Sequence, residues 1–422
     1  MTPHRIVLAN FGSFGDLHPY LGIARELQRR GHTPVIATVS HYRQRVEAAG
    51  LLFHPVRFSH MDQKPDAPMM ERILHLRTGP EFIVRELLMP WVRAAYEEML
   101  GALEGASLLV SHPLAYAAQL AAERQGLPWV STQLAPTGMM SAHDPPVIAF
   151  LPQLTRLYGL GPRFWGPLFR LAKRGVLPWT RAVSDLRRDL GLPDTGNPMF
   201  EGGVSPWGTL ALFSPLLGRP QPDWPVRTTQ TGFVFYDGED AALPQELEHF
   251  LQAGDPPVVF TLGTAAVHNP GMFYCNSAAA AQQLGRRAVL LVGSDAEAVP
   301  RDLPHGVLAV DYAPFSLLLP RAAATVHQGG VGTTAQAMRS GRPMLVMPYG
   351  VDQPDNAERA RRLGIARVVT RRAYSADVAG RELELLLRQP GYVERTRRVG
   401  DEVRREEGAA AACDVIGNLL NQ

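Results

Sequence analysis

The chain has 422 residues, of which 45% are hydrophobic and 19% charged, and its formal net charge is +2. This length suits two domains, and the near-neutral charge gives no electrostatic reason to expect a nucleic-acid partner. Its two cysteines are too few for a disulfide framework. Because no apolar run reaches the roughly 18 residues of a membrane span and no signal segment precedes the first strand, we expect a cytoplasmic globular protein.

Strands and helices alternate along the first half of the chain. Short apolar segments typical of buried parallel strands occur at residues 5–9, 33–38, 107–110 and 128–131. Segments with helical spacing lie between them at 19–30 and 115–124. This alternation predicts a doubly wound parallel sheet.

The turn after the first strand carries two candidate general bases, Asp16 and His18. A histidine is the better base near neutral pH, whereas an aspartate needs its pKa raised by burial. The structural alternative for Asp16 is a cap on the helix predicted to start at Pro19. From chemistry alone, both candidates stay open.

Residues 147–192 interrupt the alternation with a mixture of aromatic, aliphatic and basic side chains. One interpretation is an amphipathic helical insertion that covers the sheet of the first domain. The other is an apolar pocket for an acceptor molecule, with affinity for a membrane surface. We assign Phe150 from this segment, and His112 from the end of the strand at 107–110, to the acceptor side, although His112 is equally compatible with a structural role.

The second half repeats the α/β pattern after a proline-rich stretch at 218–225 that suits a linker. Its predicted strands are residues 257–262, 288–292, 322–326 and 343–347, and one predicted helix is 277–284. A terminal helical region covers about 384–421, with a break near Pro390.

The most informative segment is 325–356, TVHQGGVGTTAQAMRSGRPMLVMPYGVDQPDN. Gly329, Gly330 and Gly332 remove side chains where a helix should begin, so backbone N–H groups at the positive end of the helix dipole are open to an anion such as a diphosphate. Three side chains add donors around this turn: His327, Thr333 and Thr334. Asp352 and Gln353 follow the next strand and suit a polyhydroxylated ligand.

This segment resembles the donor-binding signature of inverting glycosyltransferases of the UDP-glycosyltransferase type (family 1, and similar to family 28), in which H-x-G-G-x-G-T and D-Q-x-x-N-A recur. Other stretches, such as residues 133–146 and 231–238, are similar to bacterial rhamnolipid rhamnosyltransferases and to enzymes that glycosylate sterols, macrolides and flavonoids. The resemblance implies the GT-B fold: two Rossmann-like doubly wound α/β domains that face each other across a cleft, with a C-terminal helix crossing back. It implies an acceptor-binding domain at 1–218 with an insertion at 147–192, a linker at 219–232, a donor-binding domain at 233–400 and a C-terminal helix at 401–422.

The same resemblance assigns the base. The loop G-S-F-G-D-L-H-P at 12–19 matches the family pattern G-x-x-G-[H/D]-x-x-P, whose fifth position is the catalytic base. Asp16 therefore takes this role and His18 is its rival. Relatives with a catalytic histidine orient it with a downstream aspartate, but residues 110–113 offer no carboxylate, so we expect Asp16 to act without a relay.

The resemblance also implies the residues that contact the donor. They are Ser13, Gly15, Gly263, Thr264, Tyr312, Ala313, His327, Gly329, Gly330, Val331, Gly332, Thr333, Thr334, Asp352, Gln353 and Asn356. Tyr312 would stack on the base and the backbone of Ala313 would read its edge. Relatives specific for UDP often carry a ribose-binding glutamate where this chain has Ala335, so the donor stays open between a UDP-sugar and a dTDP-sugar.

The predicted function is an inverting hexosyltransferase that acts without a tightly bound cofactor or metal, because no metal-ligand cluster is visible in the sequence. Its donor would be UDP-glucose or dTDP-rhamnose, and its acceptor a hydroxyl of a small hydrophobic molecule: a phenol or flavonoid, a sterol or a hydroxy-lipid. We expect a monomer or weak homodimer with no membrane span, compatible with peripheral membrane contact. The alternatives are an enzyme like the UDP-GlcNAc 2-epimerases and a non-catalytic auxiliary protein that binds sugar nucleotides.

Overall fold

The computed structural model describes residues 2–58, 66–238, 241–264, 266–293, 299 and 302–421. These residues form two entirely parallel sheets, the first in the strand order β3-β2-β1-β4-β5-β6-β7 and the second in the order β10-β9-β8-β11-β12-β13. The first sheet contains β1 Arg5–Ala9, β2 Thr33–Thr38, β3 Leu52–Pro55, β4 Leu108–Ser111, β5 Trp129–Gln133, β6 Thr209–Ala211 and β7 Thr228–Gln230. The second contains β8 Val258–Thr261, β9 Ala288–Leu291, β10 Val307–Val310, β11 Ala324–His327, β12 Met344–Val346 and β13 Ala366–Val368.

Helices cover both faces of each sheet, as buried apolar strands require. They are α1 Phe14–Arg29, α2 Arg43–Ala48, α3 Ala67–Ile73, α4 Gly79–Glu81, α5 Val92–Ala102, α6 Tyr116–Gln125, α7 Pro162–Val176, α8 Arg181–Asp189, α9 Gln245–Gln252, α10 Phe273–Gln283, α11 Phe315–Leu318, α12 Val331–Ser340, α13 Gln353–Arg362, α14 Ala376–Arg388, α15 Pro390–Arg404 and α16 Gly408–Leu420. A π-helical stretch, Phe82–Leu88, precedes α5, and a 3₁₀ helix, Pro152–Leu160, precedes α7. The prediction of two doubly wound domains is confirmed.

The connection between the domains differs from the linker predicted at 219–232. Within that stretch β7 pairs in parallel with β6 and forms the edge of the first sheet. The chain leaves the first sheet only after Gln230 and enters the second at β8. Proline-rich composition marks an irregular segment, and here that segment is a loop inside the first domain rather than the crossing between domains.

The C-terminal helix returns to the first domain. Ala412, Cys413 and Ile416 of α16 share an apolar cluster with the buried side chains of β1 and α1. The Cys413 thiol contacts the carbonyl oxygen of Ile23 at 3.6 Å, and Arg30 pairs with Asp414 at 2.6 Å. The crossing-back helix is thus built into the core of the first domain.

In the part of the chain that the structure describes, no helix combines the length and apolar character that crossing a membrane requires.

Candidate active site

The site lies in the cleft where the amino ends of α1 and α12 face each other. Both helices start just after the carboxyl end of a central strand, β1 in the first sheet and β11 in the second. The two turns are so close that a Cβ atom built on Gly332 would lie 3.5 Å from the Cα atom of Gly15. This arrangement aims the positive ends of two helix dipoles at one region, which favours an anionic ligand there.

Ser13 and Asp16 form a capping box at the start of α1. The Ser13 amide and hydroxyl donate to Asp16 Oδ2 at 2.7 and 2.9 Å, and the Gly15 amide donates to Ser13 Oγ at 3.2 Å. The helix therefore begins at Phe14 and not at Pro19, and the cap residue is Ser13, with Asp16 in the first turn. The signal in the sequence is the spacing S-x-x-D, which is typical of this motif.

His112, which follows β4, lies beside Asp16. Its Nε2 atom is 3.6 Å from Asp16 Oδ1, and the His112 side chain is 6% exposed against 30% for Asp16. The Leu114 amide donates to His112 Nδ1 at 3.2 Å. Residues 110–113 offer no carboxylate, and the polar side chain that they place beside Asp16 is the imidazole of His112.

His18 points away from this pair because residues 16 and 18 project from different sides of a helix. Its ring lies near Phe14 and Tyr236, with centroid distances of 6.0 and 5.9 Å. Burial, together with the nearby Arg45 guanidinium, lowers the pKa of His18 to about 4 although Asp237 opposes this shift. The two base candidates are thus not brought together.

The side chain of His327 supports the backbone of the glycine turn. Its side chain is completely buried, the Gly329 amide donates to its Nδ1 atom at 3.0 Å, and its Nε2 atom lies 3.5 Å from the Met344 sulfur. Burial lowers the pKa of His327 to about 3. Because Nδ1 accepts a hydrogen bond, the ring proton is on Nε2 and faces Met344. In this conformation His327 does not offer the ring N–H that the sequence suggested for a diphosphate.

Asp352 closes the amino end of α12. The Val331 amide and the Asn356 side-chain amide donate to Asp352 Oδ2 at 3.1 and 2.7 Å. Burial and, next, the charge of Asp16 across the cleft raise the pKa of Asp352 to about 6. Two carboxylates thus approach the same space from opposite domains.

Two further residues of the predicted set, Asn356 and Gln353, make hydrogen bonds to the backbone of neighbouring loops. Asn356 Nδ2 also donates to the carbonyl oxygen of Gly329 at 3.0 Å. Gln353 Oε1 accepts the Tyr349 amide at 2.9 Å. They fix the loop after β12 against the glycine turn.

The glycine turn retains polar atoms without a protein partner. Among the described residues, Gln328 Oε1, Thr334 Oγ1 and Asn356 Oδ1 are buried and accept or donate no hydrogen bond. Gly263, after β8, adopts φ +64°, and a Cβ atom there would lie 2.3 Å from Gln328 Nε2. The Gln328 amide therefore lies against the backbone of the turn. This residue was not predicted from the sequence, because Gln328 is at the variable position x of the motif H-x-G-G.

The remaining predicted donor contacts lie at the rim of the second sheet. Thr264 is exposed after β8, and Tyr312, after β10, is 61% exposed, which leaves its ring free to stack on a base. Ala313 is buried beneath it. Ala335 is buried within α12, and its neighbour Gln336 donates to Asp237 Oδ1 at 3.0 Å.

The segment predicted as an insertion contains α7, α8 and exposed apolar side chains. Trp165 and Phe169 are buried in a cluster of their own with Ala142. The exposed members are Phe150, Leu151, Leu160, Phe164, Leu171 and Leu177. Phe150, which was assigned from the sequence to the acceptor side, is 49% exposed.

Over the described residues, no group of three or more His, Cys, Asp or Glu side chains is placed to hold a metal ion.

Two doubly wound domains whose facing glycine turns line one cleft define a GT-B glycosyltransferase, and the comparisons with known proteins agree. Residues 6–140 match the family model of the glycosyltransferase family 28 N-terminal domain, and residues 278–415 match that of the erythromycin biosynthesis protein CIII-like C-terminal domain. The chain is 34% identical to an O-mycaminosyltylonolide 6-deoxyallosyltransferase of Streptomyces fradiae, over 98% of this chain and 96% of that protein. The chain therefore belongs to the family of glycosyltransferases that includes the family 28 and erythromycin CIII-like enzymes, and it is a transferase.

More distant relatives and solved structures extend the same picture. A sterol 3-beta-glucosyltransferase of Leptosphaeria maculans is 25% identical over 100% of this chain, which spans 29% of that longer protein. The calicheamicin glycosyltransferase CalG4 has the same fold, with a TM-score of 0.73 at 21% identity, covering 100% of this chain and 99% of CalG4. The spinosyn rhamnosyltransferase SpnG, solved with thymidine diphosphate, has a TM-score of 0.69 at 19% identity, covering 98% of this chain and 100% of SpnG.

Proposed function

We propose that this glycosyltransferase is an inverting, metal-independent enzyme in which Asp16 takes the proton from an acceptor hydroxyl. The observation that carries this proposal is the meeting of the two turns: Asp16 stands at the amino end of α1, opposite the glycine turn before α12. A diphosphate leaving group at that turn is stabilised by backbone amides and hydroxyls as its charge grows, which is work that needs no metal ion. The acceptor oxygen then attacks the anomeric carbon from the side of the first domain.

The residues proposed to bind the nucleotide sugar have separate roles. Gly263 and the turn from Gly330 to Thr334 bind the diphosphate, and Tyr312 stacks on the base. Asp352 holds sugar hydroxyls from the opposite side of the cleft to Asp16. His327 and Asn356 support this site indirectly, since their hydrogen bonds go to the backbone of the turn.

We propose a dTDP-deoxysugar as the donor and a hydroxyl of a hydrophobic natural product, a macrolide or a sterol, as the acceptor. Ala335 replaces the ribose-binding glutamate of UDP-specific relatives, which favours a nucleotide that lacks one ribose hydroxyl. The Streptomyces fradiae relative is named for transfer of a 6-deoxyallosyl group to O-mycaminosyltylonolide, and SpnG was solved with thymidine diphosphate. A thermal-shift comparison of dTDP with UDP tests the nucleotide, because a ligand that binds only the folded state raises the melting temperature; a larger shift with UDP would contradict it.

The replacement Asp16→Asn tests the base. Asparagine keeps an oxygen that can accept the Ser13 amide, so α1 stays capped while the carboxylate is lost. We expect turnover to fall about 10²- to 10⁴-fold with unchanged nucleotide affinity. Asp377→Asn, at the exposed first turn of α14, is the matched control and should keep full turnover. An Asp16→Asn enzyme with near-normal turnover would refute the assignment, and release of free sugar products without any acceptor would favour the epimerase.

A further inference from the structure

His112 is a buried imidazole whose tautomer is set by a hydrogen bond from the backbone. The Leu114 amide donates to Nδ1 at 3.2 Å. Because an amide N–H can only donate, Nδ1 carries no proton and the single ring proton of the neutral imidazole is on Nε2. This proton faces Asp16 Oδ1, 3.6 Å from Nε2.

The carboxylate of Asp16 is therefore approached from two elements at once. Ser13, on α1, holds Oδ2 with two hydrogen bonds. His112, at the end of β4, addresses Oδ1, the oxygen that remains for an acceptor hydroxyl. The separation of 3.6 Å exceeds hydrogen-bond length, but a small rotation of the partly exposed Asp16 side chain would close it, in the way that catalytic contacts tighten around a substrate.

Other groups around His112 do not compete for this contact. Tyr20 lies 6.1 Å away between ring centroids, and its hydroxyl is engaged with Thr132 at 2.6 Å. Burial raises the pKa of Tyr20 far above its usual range, so it stays neutral. The Gln119 side-chain amide donates to the carbonyl oxygen of His112 at 3.4 Å and not to its ring. Within the described part of the chain, Asp16 is the acidic side chain that lies beside this imidazole.

We propose that His112 is a positioning residue for Asp16, whose Nε2–H orients the carboxylate toward the acceptor hydroxyl. The order is the reverse of the pair in relatives, where an aspartate orients a catalytic histidine. In the proton-transfer step the acceptor O–H bond breaks and its proton moves to Asp16 Oδ1, while His112 keeps its own proton throughout. This inference rests on the proposed role of Asp16.

Two substitutions separate positioning from a merely structural role of His112. In His112→Asn the amide oxygen stands near the Nδ1 position and can accept the Leu114 amide, but nothing reaches Asp16. In His112→Gln the longer side chain places an amide N–H near the Nε2 position and can donate to Asp16. A positioning role predicts that glutamine preserves turnover better than asparagine, whereas a structural role predicts that asparagine preserves folding and turnover at least as well.

The experiment measures kcat, KM, the pH profile and the melting temperature of both variants beside wild type and Asp16→Asn, with one nucleotide sugar and one acceptor. We expect His112→Asn to lose about 10- to 100-fold in kcat with nucleotide affinity within twofold of wild type, and His112→Gln to recover several-fold. The acid limb of kcat/KM in His112→Asn should move to higher pH, because the ionised carboxylate has lost a donor.

The outcomes distinguish the two proposals. If Asp16→Asn is inactive and His112→Asn turns over like wild type, the positioning role is refuted and the base assignment stands. The positioning role is also refuted if the loss of kcat in both His112 variants follows the loss of melting temperature, because a loss of stability would then explain the loss of activity. If Asp16→Asn is fully active, the base assignment itself fails, whatever the His112 variants do.

Discussion

The partly buried His18 makes the stability of the folded chain depend on pH. Burial lowers its pKa from 6.5 to about 4, so below pH 6.5 the unfolded chain binds a proton that the folded chain does not. The stability that neutral His18 provides is complete above pH 6.5 and is lost as the pH falls toward 4. At about 1.4 kcal/mol per pH unit, His18 costs about 2 kcal/mol between pH 7 and pH 5.

Urea unfolding at pH 7 and at pH 5 measures this cost. The loss of unfolding free energy between the two pH values should be about 2 kcal/mol smaller in His18→Gln than in wild type. His249→Gln, an exposed histidine on α9, is the control and should leave the loss unchanged. An equal loss in His18→Gln and wild type would refute the reasoning. Since His18 is separate from Asp16, the same variant should also keep most of its turnover.

Two glycine pairs offer further matched tests. Gly263→Ala should remove the thermal shift caused by the nucleotide, because the position has φ +64° and the new Cβ atom would lie 2.3 Å from Gln328 Nε2. The control is Gly285→Ala, which has φ +60° and open space around it and should keep that shift. Gly408→Ala should destabilise the protein by about 1–3 kcal/mol in urea unfolding, because its Cβ atom would meet a backbone carbonyl oxygen at 2.3 Å. Gly417→Ala on the same helix has open space and should be neutral or stabilising, so equal effects of the two would contradict this packing.

Local patterns were sufficient to predict the central strands of both sheets and the glycine turn, but not the strands toward the sheet edges, which are β3, β6, β7, β10 and β13. The strand at Arg5–Ala9 and the turn before α12 have signals within a few consecutive residues, namely apolar runs and glycines at a helix start. The S-x-x-D spacing was equally local, so the true start of α1 could have been found. The rest of the site depends on which strand ends become neighbours in space.

The pairing of His112 with Asp16 shows this limit. β1 and β4 are adjacent in the sheet although far apart in the chain, and only their parallel register brings the two side chains together. The orientation of His327 was also beyond sequence reasoning, because it depends on whether a ring nitrogen meets the Gly329 amide or a ligand. A motif identifies the residue type at a site, whereas the hydrogen-bond partner of each atom is a property of the assembled fold.

The place of α16 in the core of the first domain has a consequence for synthesis on the ribosome. The apolar cluster of β1 and α1 is completed by Ala412, Cys413 and Ile416. The first domain therefore emerges with part of an apolar face uncovered, and that face stays open while the whole second domain is translated. We expect the core of the first domain to be complete only once α16 has packed onto it, so loss of residues 408–420 should destabilise the domain that is made first.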